Sequence, residues 1–287
     1  MLEIGLSTSA LDEENLKAIY DAGIKNVEIC VTFDEYPNLN HKEIKKAADA
    51  AGIKLWSYHF PFAGNGVFDI ASTDETLRKY TVSTLEKYVK LGADIGIDKF
   101  VIHPCGEPKS TIKEMREEEM FRSMESLDYL AELAYKEGAV IAVEDLPRSC
   151  LGNTAAEIER LISANDKLRV CFDTNHLLTE SNVDFIERLG EKIVTVHISD
   201  FDFINERHWL PGEGKLDWQP IYKKLLGKGY QGPWLYEISL MPNPKTMERR
   251  KLEFTDFSRN AMEIFENKPF TVIGKPKENL GMWGVKD

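Results

Sequence analysis

The sequence predicts a single (β/α)8 barrel, and two observations predict it. An amphipathic helix, a glycine and a short apolar strand recur as one phrase in IYDAGIKNVEIC, ADAAGIKLWSYH, KLGADIGIDKFVIH, AYKEGAVIAVED and LLGKGYQGPWLYE. Along the whole chain the alternation can be counted eight times, which closes a barrel. Glycine after a helix supplies the left-handed residue that caps its C-terminus. Strands rich in Val and Ile suit a parallel sheet buried on both faces. A doubly wound open sheet is the alternative, but it usually carries a glycine-rich phosphate loop after its first strand, and STSALDEEN is not one.

In order, the first strand covers about 2–8, and MLEIGLSTSA lacks the basic start and apolar run of a signal peptide. Helix 12–22 leads to strand 26–30, and helix 41–51 to strand 54–60. His41 begins that second helix on the surface and is assigned no function. Helix 73–92 opens with Ser72 and Glu75 spaced as a capping box, before strand 99–104. Helix 111–137 and strand 140–145 follow, then helix 154–164 with Thr154 as its N-cap. Strand 168–174, helix 182–189, strand 193–199, helix 217–228 capped by Asp217, strand 233–238 and helix 245–265 complete the set. With no linker or composition shift, residues 1–265 read as one barrel domain. Residues 266–287 carry Pro, Gly and Lys without periodicity and read as a tail packed on the barrel or on a neighbouring subunit. A homo-oligomer is therefore an expectation.

Bulk properties narrow the function. Cys30, Cys105, Cys150 and Cys171 are scattered with no CxxC pair, which points to a reducing, cytoplasmic setting without a disulfide framework or thiolate zinc site. Cys105 lies near a strand end, but an unreactive small residue is the simpler reading. Net charge is 36 − 48 = −12, so no nucleic-acid partner is expected, because that binding neutralises phosphates with Lys and Arg. No apolar run reaches the roughly 18–20 residues of a membrane helix.

The chemistry sits at strand ends, where such barrels build their active sites. Glu144, Asp173, His197 and Glu237 end the fifth to eighth strands. Three carboxylates converging on one barrel mouth would repel one another, and a divalent cation is the simplest resolution. Three oxygen donors and one imidazole favour Mn²⁺, with Mg²⁺, Co²⁺ or Zn²⁺ possible. His176, three residues after Asp173, could ligate a second ion or hold a substrate hydroxyl. His59 and His103 close the third and fourth strands and His208 lies in the loop after the seventh; substrate contact is expected of all three, with core hydrogen bonding as the alternative for His59 and His103. In the long loop FDFINERHWLPGEGKLDW, Arg207 could clamp a phosphate, carboxylate or paired hydroxyls, or pair with Glu206 or Asp202. Trp56, Phe60, Phe62, Phe68 and Trp209 could offer apolar faces to a sugar ring.

Taken together, SYHFPF, KFVIHP, VIAVED, CFDTNH, VHISD, ERHWLPGEG and LYEI resemble the xylose isomerase-like TIM barrel superfamily over about 2–265. That superfamily holds sugar and sugar-phosphate isomerases and epimerases alongside endonuclease IV. Resemblance to the ketose 3-epimerase branch implies one metal on Glu144, Asp173, His197 and Glu237. It also implies Glu144 and Glu237 as acid and base on opposite faces of the sugar, with His176 and Arg207 holding the substrate. Resemblance to the endonuclease branch implies three zinc ions on His59, His103, Glu144, Asp173, His176, His197, His208 and Glu237; Glu206 stands where that pattern has Asp. The expected activity is isomerisation or epimerisation of a small sugar or sugar phosphate by proton transfer through a metal-stabilised enediolate. A metal-dependent lyase or dehydratase on a keto sugar or glycoside is one alternative, and a trinuclear zinc nuclease is another.

Overall fold

A computed structural model describes residues 1–285. The strands are β1 (Ile4–Thr8), β2 (Asn26–Ile29), β3 (Lys54–His59), β4 (Lys99–Ile102), β5 (Val140–Glu144), β6 (Arg169–Asp173), β7 (Ile193–His197) and β8 (Trp234–Tyr236). Between and after them run α1 (Glu13–Asp21), α2 (His41–Ala51), α3 (Glu75–Asp94), α4 (Lys113–Lys136), α5 (Ala155–Ile162), α6 (Asn182–Leu189), α7 (Trp218–Gly227) and α8 (Phe254–Phe265). The parallel sheet has the order β7-β6-β5-β4-β3-β2-β1-β8. A parallel bridge from Ile198 to Tyr236 draws its two ends together. The result is the single (β/α)8 barrel that the repeating phrase predicts.

Local chemistry explains the elements. The glycine in each phrase is left-handed, as at Gly52 (φ +75°) and Gly138 (φ +76°). Thr154 caps α5, its Oγ1 accepting from Glu157 N at 3.3 Å. Asp217 stands at the start of α7 but makes no side-chain cap bond. The Ser72–Glu75 capping box does not form. Asp74 caps α3 instead, accepting from Thr76 N (2.8 Å) and Leu77 N (3.3 Å), while Ser72 Oγ accepts from Asp74 N. His41 is buried, with Nε2 3.2 Å from the Tyr58 hydroxyl. The last helix begins at Phe254 rather than at 245. Residues Met247–Glu248 (β9) pair antiparallel with Lys275–Pro276 (β10), which takes that stretch out of the helix. No helix is long and apolar enough to cross a membrane among the described residues.

The main core lies between strands and helices, and a smaller one of Val101, Ala142 and Cys171 lies inside the barrel. Side chains alternate along a strand. The residues two positions on from Ala142 and Cys171 are Glu144 and Asp173, so they share the inward face one layer higher. The loop after β7 is organised by the buried Asp200 carboxylate. It accepts from Phe201 N, Gly212 N, Leu216 N and Trp218 Nε1 at 2.8–3.1 Å. Gly214 lies so close that an added Cβ would sit 2.2 Å from Asp200 Oδ1. After α8 the chain runs back to this loop, where Asn205 Nδ2 donates to Met282 O at 2.9 Å.

Candidate active site

Glu144, Asp173 and His197 are the last residues of β5, β6 and β7, and Glu237 directly follows β8. Their ligand atoms lie within 4.8 Å of one another. The ring of His197 is the centre. Its Nδ1 is 2.9 Å from Glu144 Oε1, 3.5 Å from Glu237 Oε2 and 3.9 Å from Asp173 Oδ2. Asp173 Oδ1 accepts from Asn175 N at 2.6 Å, whereas Oδ2 is buried without a hydrogen-bond partner among the described residues. An orphaned buried carboxylate oxygen is costly unless a cation meets it. The donor set of three carboxylates and one imidazole therefore fits a divalent ion of the Mn²⁺, Mg²⁺ or Co²⁺ kind.

The electrostatics agree. Burial pushes Asp173 up to about 7; His176 pulls it down, and the charges of Glu237 and Glu144 push it further up. Burial also opposes ionisation of Glu144, but His197 and His103 hold it well below the usual carboxylate range. Burial opposes a charge on His197, yet the surrounding acids, Glu28, Glu237 and Glu144 among them, keep its pKa well above the imidazole range. Cys171 also reaches this group, but burial keeps its thiol protonated.

Two further groups adjoin the first. His59 Nε2 and His103 Nε2 approach the second oxygen of Glu144 at 3.1 and 3.2 Å. His176, Glu206 and His208 form the third group, with His176 Nε2 3.3 Å from Glu206 Oε2. Arg148 already neutralises that carboxylate, its Nη1 2.9 Å from Glu206 Oε1, while it also pairs with Glu107. Thus all five histidines predicted at or after strand ends meet at one rim.

Two predicted substrate contacts make their side-chain bonds elsewhere. Arg207 spends its guanidinium elsewhere. Nε donates to Asp202 Oδ2 (3.0 Å), Nη1 to Met282 O (3.0 Å) and Nη2 to Gly281 O (2.6 Å). A fork so engaged ties down the tail, although Arg207 also lines the cavity beside Glu237. Trp56 lies at the other end of the barrel. A register shift between β2 and β3 swings it inward beside Thr195, to whose Oγ1 its indole donates at 3.2 Å. The ammonium groups of Lys54 and Lys99 lie 4.6 and 4.0 Å from its ring centroid. Phe60, Phe68 and Trp209 are buried. Phe62 is 46% exposed and stacks on His103 with centroids 4.5 Å apart, offering the open aromatic face. Cys105 is buried and accepts from Leu151 N at 3.2 Å.

Two cavities meet over the site, of about 390 Å³ beside His103, Glu144 and His176, and about 960 Å³ beside Glu237, Trp209 and Met241. Phe62, His208 and Glu237 line both. Sequence reading missed Glu28, a fully buried carboxylate on β2, and Arg148, a non-glycine residue at φ +55°. The signal for Glu28 was present: an acid inside the apolar strand NVEIC.

A family model described as xylose isomerase-like TIM barrel matches residues 16–256. Among curated proteins, the chain is 27% identical over 186 residues to an uncharacterized protein of Sinorhizobium fredii, covering 63% of this chain and 60% of that one. It is 26% identical over 147 residues to fructoselysine 3-epimerase of Escherichia coli O157:H7, covering 46% of this chain and 51% of that one. The match thus spans about half to three fifths of the length of these relatives. It is 24% identical over 221 residues to the probable endonuclease 4 of Finegoldia magna, covering 71% and 76%. Among solved structures, a D-tagatose 3-epimerase-like protein superposes with TM-score 0.77 at 22% identity, covering 93% of this chain and 98% of that one.

Proposed function

The chain belongs to the xylose isomerase-like TIM barrel family, and on that footing we propose that it is a divalent-metal-dependent isomerase or epimerase of a small sugar or sugar phosphate. The observation that carries this reading is the Glu144–Asp173–His197–Glu237 group with its unpartnered Asp173 oxygen. These four residues would hold the ion, with Mn²⁺ favoured by the oxygen-rich set. When bound, such an ion supplies a Lewis acid that polarises a substrate carbonyl. Similarity to a fructoselysine 3-epimerase and to a D-tagatose 3-epimerase-like structure supports a sugar as the substrate.

The chain's own residues then move the proton. Glu237 borders both cavities and is partly open, its side chain 20% exposed, so it can take a proton from a carbon beside the carbonyl. Glu144 approaches from β5 beside the imidazoles of His59, His103 and His197, and once one of them passes it a proton it can deliver that proton to the other face of the resulting enediolate. General acid–base help of this kind contributes roughly 10²–10⁴ in rate. Return to the same carbon gives epimerisation, and return to its neighbour gives isomerisation. Expulsion of a β-substituent would make the same site a lyase. His59, His103, His176 and His208 border the cleft and would meet the sugar hydroxyls, and Phe62 would take the apolar face of its ring.

The test is deuterium uptake from heavy water into C–H positions of ketoses, their phosphates and 3-keto glycosides, followed by NMR with and without Mn²⁺. No exchange with any of them would sink the reading. A second reading, a trinuclear centre for phosphodiester cleavage, is favoured by the three adjoining ligand groups and the endonuclease-named relative. Arg148 on Glu206 and the net charge of −12 weigh against it. Metal analysis separates the two: one ion per chain for the first, three zinc ions for the second.

A further inference from the structure

Below the proposed metal ligands lies a carboxylate that the reaction does not use. Glu28 is fully buried within β2. Its Oε1 is 2.9 Å from His197 Nε2, and its Oε2 accepts from the Ser57 hydroxyl at 2.7 Å. The register shift between β2 and β3 pairs Glu28 with Ser57 directly. An ionised carboxylate only accepts hydrogen bonds. The nitrogen facing Glu28 therefore carries a proton, and the other ring nitrogen is the one turned toward Glu144, Asp173 and Glu237.

We infer that Glu28, oriented by Ser57, is a positioning residue that commits His197 to ligate a cation through Nδ1. The inference rests on the metal-dependent reading above. Glu28 touches neither the ion site nor the cleft, so it acts only through the imidazole. A second carboxylate behind a ligating histidine fixes its tautomer and ring orientation and raises its basicity, and loss of such a partner costs about 10–100-fold in metal affinity. Ser57 acts one step further out, on the orientation of the carboxylate.

The experiment measures Mn²⁺ affinity by calorimetry and the visible spectrum of the Co²⁺-loaded full chain, for wild type, Glu28→Gln, Glu28→Ala and Ser57→Ala. Metal-free melting temperature is the control. In Glu28→Gln the amide oxygen still accepts from Nε2 but the charge is gone. We expect weaker Mn²⁺ binding and shifted Co²⁺ bands in Glu28→Gln, and a larger loss, on the order of 10–100-fold, in Glu28→Ala. Ser57→Ala should move in the same direction by less. Should Glu28→Ala not fold, Glu28→Gln decides alone. Wild-type affinity and an unshifted spectrum in Glu28→Gln would overturn the inference, as would a loss that appears only in the metal-free melting temperature. A wild-type chain that binds neither Mn²⁺ nor Co²⁺ would overturn the metal reading itself, which the variants do not decide.

Discussion

Affinity for Mn²⁺ should fall steeply with acid, with a break near neutrality. Two groups hold protons that a cation must displace, because metal ligands bind deprotonated. In the empty site Asp173 has its pKa pushed up to about 7, chiefly by burial. His197 is shifted the same way, the acids around it raising its pKa well above the usual value despite burial, so a proton on its Nδ1 adds to the competition. Below pH 7 the Asp173 proton must leave, and its contribution steepens toward about tenfold per pH unit. From pH 8 to pH 6 Asp173 alone contributes about tenfold, or about 1.4 kcal/mol. Calorimetric titration in two buffers of different ionisation enthalpy reads both quantities, the affinity and the protons released. Release should rise by about one proton as pH falls from 8 to 6. An affinity that is flat over this range, or falls only near pH 4 as for an ordinary carboxylate, refutes the reasoning.

Glu144→Gln and Glu237→Gln should each lower substrate C–H exchange by about 10²–10⁴, measured by NMR at saturating Mn²⁺; exchange at the wild-type rate in either would remove that residue from the proton path. Arg207→Ala strips one partner from a buried pair with Asp202 and frees the tail carbonyls. It should cost about 3–5 kcal/mol in denaturant melts and expose the tail to protease, with Mn²⁺ affinity unchanged; a raised KM at unaltered stability would return the guanidinium to the substrate. Gly214→Ala drives a methyl into Asp200 Oδ1 and the Phe201 carbonyl. A melting shift worth about 1–3 kcal/mol is expected, and none at all would mean that the loop is looser than described.

The barrel and its rim were legible because both follow from short-range rules. A parallel strand buried on both faces reads as an apolar run, and its first polar residue marks where the run leaves the core, which located Glu144, Asp173, His197 and Glu237. What escaped depended on contacts distant in sequence. Trp56 reads like a cleft aromatic, but the β2–β3 register shift turns it toward Thr195. Arg207 reads like a ligand clamp, and only the returning tail shows its donors already engaged. KTMERRKLEF has helical composition, and its pairing with Lys275–Pro276 overrides that tendency. Glu28 sits within an apolar strand, and only the fold shows that it faces His197 across the barrel.

The tie between Arg207 and the carbonyls of Gly281 and Met282 has a consequence for how the molecule is made. Synthesis is vectorial, and early segments fold as they emerge. The last strand ends at Tyr236, about 45 residues before those carbonyls are synthesised. A nascent chain can therefore close its barrel while the loop bearing Glu206 and His208 still awaits its anchor. The loop bearing Glu206 and His208 therefore depends for its anchorage on a segment synthesised after every strand of the barrel.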